Sequence, residues 1–235
     1  MTPDAAIRLP AAMALIQQQA RPGELAGMAR FGIVGTGRLG LSVPAMRGIA
    51  KSLGHDHALA QALWDSGIPD AQIVAGMVAR PEQFSASQMD AWAADFASWD
   101  VCDQVCLNAF CAAPLAWDRV AVWATSPAEF VRRAAFALLA SLAVHDKQAA
   151  ASCFIDALAQ VEAASSDDRN FVKKAVNWAL RSIGKRDAVL NAAALHAARR
   201  IARQGSKSAR WIAADALREL QSDAVQGRLQ LRRQA

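Results

Sequence analysis

Phe130-Val131-Arg132-Arg133-Ala134-Ala135 and Phe171-Val172-Lys173-Lys174-Ala175-Val176 are one motif written twice, 41 residues apart. Two apolar residues, two cations and two small apolar residues keep their order in both copies. A looser echo follows at an offset of 37, where Ala179-Leu180-Arg181 matches Ala216-Leu217-Arg218. Periods near 40 residues belong to arrays built from helix pairs. One such pair cannot bury its own apolar face, so stacked pairs share a continuous core and leave a curved surface. Equivalent positions align along that surface, which makes Arg133 and Lys174 a rung of positive charge. Chance likeness between two amphipathic helices is the competing account.

The rest of the chain supports helix pairs. Breakers recur at Pro22-Gly23, Gly32 to Pro44, Gly54, Gly67 to Pro69, Pro81, Pro114, Pro127, Ser165-Ser166, Gly184 and Gly205, and the segments between them are helix-sized. Tyrosine is absent, glycine numbers 13 in 235 residues, and 54% of the chain is hydrophobic. Such a composition favours a packed helical core over sheet or disorder. The expected architecture is all-α: one HEAT-like helical repeat solenoid spanning residues 1–235, with a concave basic groove.

Charge is distributed unevenly. Residues 1–167 carry 11 Lys/Arg against 16 Asp/Glu, a net of −5, and residues 168–235 carry 15 against 5, a net of +10. A basic end points first to nucleic acid and second to an anionic membrane surface, with a solvated arginine-rich face as the bland alternative. Cys102, Cys106, Cys111 and Cys153 form no C-x-x-C pair. They read as reduced core residues of a cytoplasmic protein. Pro10 is expected to interrupt the N-terminal segment, and neither a signal peptide nor a membrane span is expected.

Several segments could carry chemistry. Gly35-Thr36-Gly37-Arg38-Leu39-Gly40 fits the dinucleotide pattern G-x-G-x-x-G, but that pattern works only inside a βαβ unit. A glycine-rich connection is the better reading. Ser42-Val43-Pro44 reads as a helix start, with Arg47 in the first turn to help hold a phosphate; an ordinary capped helix is the alternative. His55-Asp56-His57 lacks the further ligands a metal needs, so no metal or cofactor is expected.

Two helices hold tryptophan beside charge. In residues 171–183, Val172, Ala175, Val176, Ala179, Leu180 and Ile183 make one apolar stripe. Trp178 lies off that stripe, on a face shared with Lys174 and Arg181. It either packs on a neighbouring repeat or meets a ligand. In Ser98-Trp99-Asp100-Val101-Cys102-Asp103, the ring of Trp99 and the carboxylate of Asp103 are one turn apart. Cys102, Val105, Cys106 and Ala109 make the buried stripe of that helix. Ring and carboxylate together can stabilise a sugar cation. A core tryptophan beside a dipole-compensating aspartate is the alternative.

Taken in order, these segments resemble the AlkD-like DNA glycosylases, a DNA alkylation repair family with HEAT-like repeats. Met28-Ala29-Arg30-Phe31 with Leu39 to Arg47, then Leu63-Trp64-Asp65, Ser98 to Asp103, Phe130 to Ala135 and Ala175 to Arg181 are similar to successive family segments over roughly residues 25–185. The resemblance implies that Asp103 is the catalytic carboxylate. It makes Trp99 and Trp178 the aromatic pair that holds the lesion nucleotide. Arg133 becomes a DNA-backbone arginine, Arg47 a phosphate ligand, and Lys174 and Arg181 further cations of the groove. The implied activity is hydrolysis of the N-glycosidic bond of N3- or N7-alkylated purines in double-stranded DNA. It is expected of a monomer, cytoplasmic and associated with a bacterial nucleoid. A non-catalytic HEAT-like scaffold binding DNA or protein is the alternative.

Overall fold

The computed structural model describes residues 3–234, with side chains for residues 5–232. Among these are fourteen α-helices, three 3-10 turns and no strand. The expected all-α class holds, and the G-x-G-x-x-G stretch is a loop. The chain divides into two compact units, residues 1–115 and 116–235.

The first unit contains α1 (Pro3–Gln18), α2 (Leu25–Ala29), α3 (Val43–Leu53), α4 (His57–Trp64), α5 (Pro69–Val78), α6 (Ala86–Ala94) and α7 (Trp99–Asn108). Helix α5 is its centre: it packs against α3, α4 and α7, and nine of its ten residues are buried. Beside it the rings of Trp64 and Trp92 stack, with centroids 4.1 Å apart and planes 3° from parallel. Phe96 meets Trp64 edge-on and Phe84 meets Trp92 edge-on, an arrangement worth about 0.5–1.5 kcal/mol per pair beyond the buried area. Both indole N–H groups are satisfied, Trp64 donating to Asp95 and Trp92 to Gln61.

Pro10 departs from expectation, since α1 runs through it. It lies on the exposed face of that helix, where water can take up the carbonyl that proline leaves without a donor. Asp56 and His57 have structural partners: Asp56 caps α4 through the Leu59 N–H and pairs with Arg8, and His57 Nε2 is 2.9 Å from Gln88 Oε1.

The second unit contains α8 (Ala116–Trp123), α9 (Glu129–His145), α10 (Ala151–Ala164), α11 (Asn170–Gly184), α12 (Ala188–Ala202), α13 (Lys207–Leu220) and α14 (Asp223–Gln234). Helix α11 packs against α9 on one side and α13 on the other, and α12 packs against α10, α11 and α13. Helices α9, α11 and α13 begin at residues 129, 170 and 207, reproducing the offsets of 41 and 37. Phe130 and Phe171, equivalent in the repeat, meet with centroids 5.3 Å apart. The six-residue stripe of α11 is fully buried. Gly184 ends α11 in close packing: a Cβ there would lie 2.6 Å from a Leu220 methyl and 2.9 Å from the Ala194 methyl. Asp187 and Ser206 cap α12 and α13 by accepting the N–H of Leu190 and Ala209, each worth about 1 kcal/mol.

The cysteines divide. Cys102 and Cys106 are buried, Cys111 is half-buried, and Cys153 is exposed on α10, against the expectation of a core residue. The next residue on α10, Phe154, takes the buried position instead.

Candidate functional site

Helix α7 begins at Trp99, one residue after Ser98. Val101, Cys102, Val105 and Cys106 point into the core. The opposite shoulder, with Trp99 and Asp103, stays half-buried. The ring is held in place: its indole N–H donates to the carbonyl of Phe31, at 2.9 Å. Phe31 itself is exposed, at 75%.

The two carboxylates of this segment do different things. Asp100 is engaged by Arg38 in a two-pronged ion pair, with Nη1 2.7 Å from Oδ2 and Nη2 3.0 Å from Oδ1. Ser98 also donates to Asp100. Arg38 is buried, and its Nε and Nη2 reach the carbonyl of Val34. Asp100 is therefore a structural group, and Asp103 is the carboxylate one turn from the ring. Burial and the neighbouring Cys102 push the Cys106 thiol well above its ordinary range, and the charge of Asp103 adds to this. Cys106 is therefore held as a neutral thiol.

The glycine-rich connection beside this cluster is tied to α5. Asp70, fully buried on α5, accepts the N–H of Leu39 and of Leu41, each at 2.8 Å. Gly40 turns at φ +83°, and a Cβ there would lie 2.4 Å from the carbonyl oxygen of Arg21. Only glycine fits that turn. Arg38 is the residue that sequence reasoning missed: it lies within the dismissed G-x-G-x-x-G pattern, and its partner is 62 residues away.

Ser42 caps α3 with Pro44 at its start, as expected. Arg47 stands exposed on the second turn of α3, one residue further along than the first-turn position expected.

In the second unit, Lys174 is exposed and Trp178 is half-buried on the same face of α11, off the buried stripe. Arg181 shares that face, but its charge is met by α13: it pairs with Glu219 and lies 3.5 Å from Asp215. Lys185 joins Glu219 at 2.7 Å. Burial alone would raise the Glu219 carboxyl; Lys185 and Arg181 outweigh that and hold it below its ordinary value. Arg133 on α9 is buried, with 5% exposure, and donates to the carbonyl of Phe171 at 2.7 Å. Its neighbour Arg132 reaches Asp167, which Arg169 also grips. The rung read from the repeat thus has unequal members: Arg133 turned inward and Lys174 facing solvent.

Each unit therefore gathers its own set, Trp99 with Asp103 in the first and Lys174 with Trp178 and Arg181 in the second. Among the described residues no group of three or more His, Cys, Asp or Glu has metal-binding geometry, and no helix is long and apolar enough to cross a membrane.

The model of a family described as DNA alkylation repair enzyme matches residues 12–220. A solved structure with a TM-score of 0.78, 21% identity, and coverage of 94% of this chain and 95% of that one is described as one of a new family of proteins related to the HEAT-like repeat DNA glycosylases with affinity for branched DNA structures. That likeness shows the HEAT-like fold. An engineered protein aligns at a TM-score of 0.42 with 14% identity, over 94% of this chain and 95% of its own. A designed armadillo repeat protein aligns at 0.36 with 17% identity, over 75% and 92%. No curated protein matches.

Proposed function

Since the chain belongs to the DNA alkylation repair enzyme family, we propose that it is a DNA glycosylase that removes N3- or N7-alkylated purines from duplex DNA by hydrolysing the N-glycosidic bond. The observation that carries this reading is the α7 cluster: a clamped tryptophan ring, with Asp103 one turn away and Asp100 committed to Arg38.

The chemistry needs little more. An alkylated purine of this kind is cationic and leaves without being protonated, unlike the leaving oxygen of an ordinary glycoside. What remains is to stabilise the cation developing on the sugar and to direct water at it. Asp103 supplies the negative charge and Trp99 an aromatic face for the sugar. Lys174 and Arg47, both exposed, are the simplest phosphate contacts. Arg181 contributes less net charge because of its carboxylate partners, and Arg133 acts on the backbone only together with its structural bond to Phe171. Binding then weakens steeply with salt as phosphate contacts release counterions.

A second reading has its own support. The solved relative at TM-score 0.78 is described by its affinity for branched DNA structures, which favours a non-catalytic DNA-binding scaffold. Single-turnover release of 7-methylguanine or 3-methyladenine from duplex DNA separates the two. Asp103→Asn keeps the size and removes the charge, so release is expected to slow by about a hundredfold or more while DNA binding changes little. Release that Asp103→Asn leaves untouched removes Asp103 from the mechanism. No release by the wild type on any alkylated duplex puts the scaffold first.

A further inference from the structure

The second unit holds a cavity of about 650 Å³ with Trp178 in its lining, a size that suits one small ligand. Helices α9, α11 and α14 supply its walls. Five cations line it, Lys147, Lys185, Arg186, Arg228 and Arg232, against one carboxylate, Asp187. That carboxylate already caps α12 through the Leu190 N–H.

Helices α9 and α11 both end here, and helix C-termini carry partial negative charge that repels anions. Two arginines reverse this. Arg186 donates to the carbonyls of Ala143 and Asp146 at the end of α9, and its guanidinium lies 4.6 Å over the ring of Phe154. Arg232 donates to the carbonyls of Lys185 and Arg186, just past α11. Their partners are neutral, so both keep their full charge. Lys185 is balanced by Glu219. Lys147 and Arg228 are exposed, and among the described residues neither is ion-paired with a carboxylate. The cavity therefore keeps a net positive charge beside one aromatic ring.

We infer that this cavity takes one nucleotide unit, its phosphate on Lys147 and Arg228 and its base against Trp178. Guanidinium and ammonium groups favour phosphate oxygens, and an indole face accepts any base by stacking. The inference rests on the reading of the chain as a DNA-binding protein. It adds a strand phosphate drawn into a cavity rather than laid on a surface.

The test is calorimetric binding of 5′-phosphorylated trithymidylate, thymidine 5′-monophosphate and inorganic phosphate to the full chain. Lys147→Glu and Arg228→Glu, alone and together, change exposed side chains and leave the fold intact by circular dichroism. The double variant is expected to bind trithymidylate at least tenfold more weakly. Its logarithmic salt slope should fall by about 0.7, the single-strand value for one phosphate contact. Trithymidylate binding more tightly than the monophosphate places the ligand in a strand; equal binding makes it a free nucleotide, and either supports the site. Inorganic phosphate binding as tightly as the monophosphate overturns it, as does unchanged binding in the double variant or no binding of any probe. Base release measured on the same samples keeps the two readings apart. A wild type that releases base while the double variant binds trithymidylate normally loses the cavity site alone. A wild type that releases none, with trithymidylate binding lost in the double variant, loses the glycosylase reading alone.

Discussion

Replacing Arg38 by Ala would remove the pin between the glycine-rich connection and α7. The side chains of Arg38 and Asp100 are 4% and 13% exposed, so water cannot replace the lost partner well. The substitution deletes two charge-assisted bonds to Asp100 and two contacts to the Val34 carbonyl. Truncating one member of a buried ion pair costs about 3–5 kcal/mol, because the other charge is left uncompensated. For a chain of this length that corresponds to a fall in melting temperature of roughly 6–20 °C. Calorimetry or thermal circular dichroism measures it. The double replacement Arg38→Met with Asp100→Leu removes both charges and should recover most of the loss. Arg38→Ala should also slow base release more than it weakens DNA binding, since Phe31, whose carbonyl holds the Trp99 indole, lies in the same stretch of chain. A loss below about 1 kcal/mol, or a double variant no better than the single, would refute the claim that this pair fixes the connection.

Three further outcomes follow from particular contacts. Gly40→Ala should destabilise the chain by about 2 kcal/mol or more in denaturant unfolding, because a left-handed alanine costs roughly 1–2 kcal/mol before its overlap with the Arg21 carbonyl is counted. Arg133→Met should cost about 1.5–3 kcal/mol through the lost charged bond to Phe171, so its weakened DNA binding must be compared at temperatures where the variant is folded; unchanged stability would remove the structural role. The bonds from Arg169, outweighing burial and joined by the charge of Arg132, hold Asp167 below its ordinary value of 3.8. Its contribution to stability is therefore present above pH 3.8 and lost as pH falls through the lower folded value. Asp167→Asn should be less stable at neutral pH yet lose less on acidification below 3.8, and parallel pH profiles would contradict this.

What the sequence made legible was whatever repeats. The apolar stripe of α11 was readable because burial on a helix has a period. The starts of α9, α11 and α13 were readable because equivalent residues return after 41 and 37 positions. Trp99 and Asp103 were readable as neighbours because residues one turn apart share a face. The ion pair of Asp100 was not readable from spacing: its partner Arg38 reaches α7 from a loop 62 residues earlier, and nothing periodic announces such a contact.

Charge obeys the repeat as well, and this alters what the basic end of the chain can do. Side chains on neighbouring stacked helices face partners about one repeat away in sequence. Arg181 thus meets Glu219, and Arg200 meets Glu162, in both cases 38 residues apart. Asn177 meets Asp215 at the same separation, and Lys185 meets Glu219 at 34. The excess of ten positive charges over residues 168–235 is therefore not ten charges offered to a polyanion. Several arginines are already paired with carboxylates on neighbouring helices of the stack. Among the described residues Lys174 has no such carboxylate partner, and neither do Lys147 and Arg228 at the cavity. The salt dependence of DNA binding should accordingly report a few phosphate contacts, far fewer than the net charge suggests, and substitution of Lys174 should change its slope while substitution of Arg200 leaves it unaltered.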